Sequence, residues 1–250
     1  MYSKADTHIH STYSDGLMSP EEIIDHVVNH TDLSVIAITD HETAEGAFIA
    51  RAYAGQHTPN LEVIIGQECS TKDGDVVGLF LKSSLPSFQT AAQAVEAIHR
   101  QGGLAVAVHP FSAWSSLNHL NGVGHLVFEL PFDAIEIRNG VPTNIISNPA
   151  SAWFNRWTGQ PRAELGGSDS HVSFTVGQPH TRFPGRSAAD FRRAVEERTV
   201  QAGGFLWSLG SLLRLIPVLR QRGTPLQQHA VVKARRAGLK LGQQPLESRG

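Results

Sequence analysis

Short apolar runs recur along the chain, separated by stretches of helical spacing or by turn residues. Seven stand out: residues 4–9 (KADTHI), 34–39 (SVIAIT), 62–67 (EVIIGQ), 75–81 (DVVGLFL), 104–108 (LAVAV), 133–137 (DAIEI) and 162–166 (RAELG). Runs this short suit strands buried on both faces, as in parallel sheets. Only the turn signal Lys72-Asp73-Gly74 parts the third run from the fourth, so that pair reads as a hairpin or as part of a βαβ unit.

Helical segments lie between most of the runs. Ser19-Pro20-Glu21-Glu22 is a helix start, with Ser as cap, Pro at the first position and Glu three residues after the cap; Ile23, Ile24, Val27 and Val28 follow at helical spacing. Thr90 opens a second helix that reaches about His99 and stops at Gly102-Gly103. Ser187 to Asp190 caps a third, with Phe191, Ala194 and Val195 on one face. Alternating strands and helices predict an α/β architecture. The segment Phe205 to Leu219 is mostly apolar and predicts a helix packed on the rest, broken near Pro217. A membrane-surface helix and a polyanion contact are its alternatives.

Charge separates the tail from the body. Residues 203–250 hold eight Lys or Arg and one acidic residue, Glu247, leaving a formal charge of −9 on residues 1–202. We therefore expect a body over 1–202 and a basic helical extension over 203–250 with a frayed end. The net charge of −2 over 250 residues gives no global sign of nucleic-acid affinity. The single cysteine, Cys69, cannot form an internal disulfide, and the N-terminus has no basic-then-apolar leader. No run of 18 apolar residues exists, so a cytoplasmic protein without a spanning helix is expected.

Chemistry-bearing side chains fall at the ends of the runs. His8-Ile9-His10 closes the first, with Asp15 beyond it; Asp40-His41 closes the second, Glu68 the third, His109-Pro110 the fifth and Asp169-Ser170-His171 the seventh. Strand C-termini of a parallel barrel open on one face, so these residues would share one cavity. Imidazole and carboxylate together suit borderline and hard divalent cations. A carboxylate such as Glu68 can bridge two of them. Each motif also has a plainer reading: a half-buried strand histidine, a helix cap at Asp40, a strand stop at His109-Pro110. Asp75 reads as a turn residue or a ligand. Arg138 reads as a phosphate partner or a solvated loop charge, and Asn139 beside it and His180 are candidate substrate contacts. Cys69 is read as a small buried residue. His26, His30, His57, His99, His119, His125 and His229 are read as structural or surface.

In combination, His8-x-His10, Asp15, Thr39-Asp40-His41, Glu68, His109-Pro110 and Asp169-x-His171 resemble the PHP superfamily, named for polymerase and histidinol phosphatase, over roughly residues 5–200. The resemblance implies a distorted (β/α)7 TIM-like barrel with a C-terminal helical extension. It implies hydrolysis of a phosphate ester by a metal-bridged hydroxide, with two or three Mn, Fe, Zn or Mg ions. By motif, His8, His10, Glu68 and Asp169 would hold the first ion, and Glu68 and His109 the second. Asp15, His41 and His171 would hold the third. Asp40 would orient a ligand ring or handle a proton, and Arg138 would grip phosphate. Asp75 stands where many relatives have a histidine, a harder donor that favours Mn or Mg. The substrate class implied is a small phosphorylated metabolite, a nucleotide or an oligonucleotide end, with long nucleic acid less favoured. The alternatives are a metal-dependent amidohydrolase and an inactive interaction module of the same fold.

Overall fold

The computed structural model describes residues 1–112 and 122–222. Nine strands form one sheet: β1 (Tyr2–Asp6), β2 (Val35–Ile38), β3 (Glu62–Thr71), β4 (Gly74–Leu79), β5 (Leu104–Ala107), β6 (Ala134–Asn139), β7 (Ala163–Gly167), β8 (His180–Pro184) and β9 (Gln201–Gly203). The helices are α1 (Pro20–His30), α2 (Glu45–His57), α3 (Ala91–Arg100), α4 (Leu126–Glu129), α5 (Ser147–Trp157), α6 (Ala188–Glu196) and α7 (Leu209–Arg222). Sheet order is β7-β6-β5-β4-β3-β2-β1-β8-β9. A parallel bridge between Ile9 and Ser170, with His10 N–H donating to the Ser170 carbonyl at 2.9 Å, joins the two ends of the β1–β7 run. The result is a nearly closed, barrel-like sheet of the expected α/β class. The antiparallel pair β8–β9, connected through α6, lies beside β1.

The pair β3–β4 is the hairpin, and β4 also runs antiparallel to β5, so it is the reversed strand of the ring. Asp75, at the N-terminal end of β4, therefore opens on the same side as the C-terminal ends of β3 and β5. Six of the seven predicted strands sit within a few residues of their runs. The first ends at Asp6 instead of residue 9, and His8 and His10 follow in extended chain beyond it.

Period-two alternation divides the apolar side chains between two cores. Ile36, Ile38, Val63, Ile65, Ala105 and Ala107 face the helices, meeting Ile23 and Val27 of α1 and Val95 and Ile98 of α3. Val35, Ala37, Ile64, Val77, Leu79, Leu104, Val106, Ala134 and Leu165 face inward, and α6 closes that end with Phe191 packed edge-on to Phe183. Continuing each inward phase reaches polar residues: Ile64 leads to Glu68, Ala134 to Glu136, Leu165 to Asp169, and Val77 back to Asp75. The interior is thus layered, apolar at the α6 end and ionisable at the other.

The three helices with sequence-readable starts all have capping boxes, Ser19 with Glu22, Thr90 with Gln93 and Ser187 with Asp190. Helices α2 and α5 lack a side-chain cap, which is why no start signal marks them. The tail helix also departs from expectation. Pro217 lies inside α7 without ending it. Its moorings are at the N-terminal side, where Trp207 N–H donates to the Gly140 carbonyl and Trp207 Nε1–H to the Ser168 carbonyl, both at 2.8 Å. Farther along, a cavity of about 530 Å³ lined by Leu17, His26, His30, Phe174 and Val218 separates it from α1. The expected boundary at 202 falls inside β9, and residues 223–250 of the extension lie outside the described residues, as does His119.

Candidate metal centre

Each donor is delivered by a strand end or the loop just after it. The extended 7–10 segment hangs on Asp6, whose carboxylate accepts from Ser168 N–H at 2.9 Å, Gly177 N–H at 2.7 Å and His8 N–H at 3.3 Å. Asp40 organises the next turn, accepting from Ser11 N–H at 2.7 Å and from the hydroxyls of Ser11 and Ser14 at 2.6 Å each. Those bonds set the loop that presents Asp15. Cβ on Gly46 would meet Asp40 Oδ2 at 2.3 Å, so only glycine lets α2 approach this carboxylate. His109 and Asp169 have positive φ, 31° and 50°. That backbone is costly for a residue with Cβ, and it turns both side chains back toward the axis.

The donors converge on Glu68. Its Oε2 lies 3.3 Å from His8 Nε2, 3.2 Å from His10 Nε2 and 3.6 Å from His41 Nδ1, and its Oε1 lies 3.4 Å from His109 Nε2. Asp169 Oδ1 stands 3.6 Å from His8 Nε2 and 3.3 Å from His10 Nε2. Asp15 Oδ2 lies 3.1 Å from His171 Nε2 and 3.8 Å from His41 Nε2, and Asp15 Oδ1 lies 3.5 Å from His10 Nδ1. Four overlapping triads result: His8-His10-Glu68, His8-His109-Asp169, Glu68-Asp75-His109 and His10-Asp15-His171.

These residues fit divalent cations on two observations. Buried donor atoms of His10, His109, Glu68 (Oε1) and Asp169 (Oδ1) lack a hydrogen-bond partner, an expensive state unless something else binds them. The donor spacings of 3.2–3.6 Å around Glu68 Oε2 and Asp169 Oδ1 also match what a shared ion demands, since ligands ~2.0–2.2 Å from one centre stand about 3–3.5 Å apart.

Electrostatics support the same grouping. Burial opposes charge on His8 and His10. Carboxylates outweigh it, chiefly Asp169 and Glu136 for His8 and Asp169 and Glu68 for His10, and hold both rings well above the usual imidazole range. His109 is pushed to about 9 against its burial, mainly by Glu68. Burial likewise opposes ionisation of Glu68 and Asp169, yet the facing imidazoles hold both well below ordinary carboxylates. Imidazole and carboxylate thus stabilise each other's charge here, the role a cation takes over when the rings are neutral ligands. Asp40 is raised by burial, an effect its bonds to Ser11 and Ser14 only partly offset.

The structure therefore brings together His8, His10, Asp15, His41, Glu68, Asp75, His109, Asp169 and His171. Four expectations fall differently. Asp40 spends its carboxylate on Ser11 and Ser14, so it positions a loop instead of meeting a ligand ring. Asn139 is fully buried, donating to Glu136 Oε2 at 2.9 Å and Asp169 Oδ2 at 3.0 Å, so it braces the centre and has no face for substrate. A bulge between Glu136 and Arg138 turns the Arg138 side chain outward, where it lies 5.8 Å over the Phe205 ring. His180 is buried with its Nδ1 at 3.1 Å from the Gly177 carbonyl, and no donor cluster among the described residues includes it. Cys69 is buried and also outside the clusters among the described residues.

Glu136 joins the centre from outside the sequence motifs. Glu136, buried on β6, accepts from His8 Nδ1–H at 3.1 Å and from His109 N–H at 3.0 Å. The first bond sets the His8 tautomer and aims Nε2 at the donor cluster. Its signal was a carboxylate in the middle of an otherwise apolar strand, DAIEI.

The chain is similar to several known proteins. An uncharacterised protein of Methanocaldococcus jannaschii, MJ1587, is 33% identical over 161 residues, covering 58% of this chain and 90% of that protein. A 5'-3' exoribonuclease of Haemophilus influenzae is 32% identical over 110 residues, 42% of this chain and 39% of the enzyme. Among solved structures, a two-domain Bacteroides vulgatus protein containing a predicted PHP-like metal-dependent phosphoesterase superposes with a TM-score of 0.68 at 20% identity. The match covers 82% of this chain and 65% of that one. The PHP domain profile matches residues 6–125 and the PHP-associated profile residues 161–200. With the motifs, the layered barrel and these matches in agreement, the chain belongs to the PHP family.

Proposed function

We propose that this chain is a metal-dependent phosphoesterase whose nine convergent donors hold two or three divalent cations. The observation that carries the reading is the position of Glu68. One carboxylate oxygen faces His8 and His10 at 3.3 and 3.2 Å, and the other faces His109 at 3.4 Å. That arrangement supports a bridging role for Glu68. His8, His10, Glu68 and Asp169 would hold one ion, Glu68, Asp75 and His109 a second, and Asp15, His171 and His10, with His41 nearby, a third. Bound cations of this kind acidify a water and neutralise charge on a phosphoryl group in flight. The chain itself orients: Glu136 aims His8, Asn139 aims Asp169, and Asp40 shapes the loop bearing Asp15. The serine hydroxyls at the cluster serve its donors, Ser14 lying 3.2 Å from Asp15 Oδ1 and Ser70 3.5 Å from His41 Nδ1, and Cys69 is buried with its thiol pushed well above its usual pKa by burial.

The substrate we favour is a phosphate ester on a small metabolite, a nucleotide or an oligonucleotide end. The exoribonuclease likeness supports the last two. Parallel assays with p-nitrophenyl phosphate, bis-p-nitrophenyl phosphate and a simple anilide, in protein reconstituted with Mn, test the reading. Turnover of either phosphate ester, lost on chelation, is expected. Anilide cleavage without phosphate-ester cleavage would point to an amidohydrolase.

A further inference from the structure

The outer face of α7 has no counterpart in the body it is tied to. Phe205, Leu209, Leu213 and Ile216 are 80%, 73%, 61% and 50% exposed. Leu209, Leu213 and Ile216 follow at i, i+4 and i+7, so they form one stripe along the helix. The stripe faces outward because the opposite side is held: Trp207 is bonded to Gly140 and Ser168, Ser208 N–H donates to Gln178 Oε1 at 2.7 Å, and Ser211 is buried against Gln178. Cations flank it. The Arg138 guanidinium lies over the Phe205 ring, Arg214 is exposed on the helix, and α7 contains no acidic residue.

We propose that this face docks on an anionic lipid surface, α7 lying in the interface plane. Aliphatic side chains with one exposed aromatic and basic neighbours are the composition of interfacial helices. The charge layout fits: residues 203–250 carry eight basic and one acidic side chain, while residues 1–202 are strongly acidic. An anionic surface attracts a segment of the first composition. No helix of the described residues is long and apolar enough to cross a membrane, so the contact is lateral. The four side chains leave on the order of 500 Å² of apolar surface in water, short of the ~800 Å² per partner of a stable protein interface. Exposed leucines add nothing to a phosphate backbone, which binds through cations.

The test uses the full chain and co-sedimentation with phosphatidylcholine vesicles, with and without phosphatidylserine. Binding should be about tenfold stronger to the phosphatidylserine vesicles and should weaken with salt. Leu213→Ser with Ile216→Ser should cost about tenfold in binding, and Arg214→Glu should weaken it on anionic vesicles only. Both variants should retain wild-type metal content and circular dichroism, since none of these side chains touches the donor cluster. Equal binding to both vesicle types, or none, overturns the proposal. So does full binding by the double serine variant. A concentration-dependent dimer in sedimentation velocity that the serine variant dissolves assigns the face to a second copy. Retention of an oligonucleotide through Leu213 and Ile216, without vesicle binding, assigns it to nucleic acid.

Discussion

Glu136 decides how His8 presents its ring. A buried carboxylate on Nδ1 keeps the proton there and leaves Nε2 free to coordinate, 3.3 Å from Glu68 and 3.6 Å from Asp169. Glu136→Gln should therefore lower divalent-metal affinity about 10–100-fold with the fold retained, as isothermal titration of apo protein would show. Unchanged affinity would reduce Glu136 to a packing residue. Glu68→Ala removes the proposed bridge. We expect phosphate-ester turnover to fall by three or more orders of magnitude and bound metal to drop by at least one equivalent, read by elemental analysis. Gly167 sets the same ring from the other side. A Cβ there would lie 2.5 Å from Glu136 Oε1 and 2.6 Å from His8 Cβ. Gly167→Ala should cost about 1–3 kcal/mol in urea unfolding, the range for overpacking a filled interior. A neutral result would mean that the interior yields more easily than the contacts indicate.

Two elements owe their place to a single carboxylate. Asp6 at the end of β1 ties the 168 loop and the 177 turn to the barrel through three N–H donors. Burial is the largest influence on it and, despite those donors, raises its pKa from 3.8 to about 6. The native chain thus holds a proton in this window that the unfolded chain has already released. The stability linked to that proton is whole below the unfolded value and is lost as pH rises through about 6, a swing on the order of 3 kcal/mol. The stability difference between wild type and Asp6→Asn should accordingly shrink as pH goes from 4 to 7, in paired urea titrations. A constant difference would show that the donors, not burial, govern this carboxylate. The reversed strand β4 has an equally local origin, the two-residue turn Lys72-Asp73 before Gly74, whose φ of 128° only glycine adopts with ease. That turn is what carries Asp75 to the mouth.

At the scale of the whole molecule the donor cluster packs buried imidazoles against buried carboxylates, and cations are its natural third component. Ligands that bind only the native state stabilise it by mass action. Chelation with EDTA should lower the calorimetric unfolding temperature by several degrees, and Mn or Zn should restore it. A melting temperature indifferent to chelator would argue against resident metal.

Much of this organisation was legible in the linear chain. Apolar runs buried on both faces fall where strands are, and Ser19, Thr90 and Ser187 announce helices through caps that are local by nature. The donors announced themselves because a barrel concentrates chemistry at strand ends, a rule of position that the linear chain already carries. Other features depended on contacts between distant residues. Strand β8, HTRFP, has no apolar run and exists through pairing with β1 and β9. Helices α2 and α5 have no cap and form against the sheet. Asn139 and Arg138 are adjacent in sequence, yet one braces Asp169 from the interior and the other lies over Phe205. The division is made by a bulge, whose register against β7 no local pattern records. Residue types and spacing state which groups can meet; packing settles which way each one points, because direction depends on the partner strand.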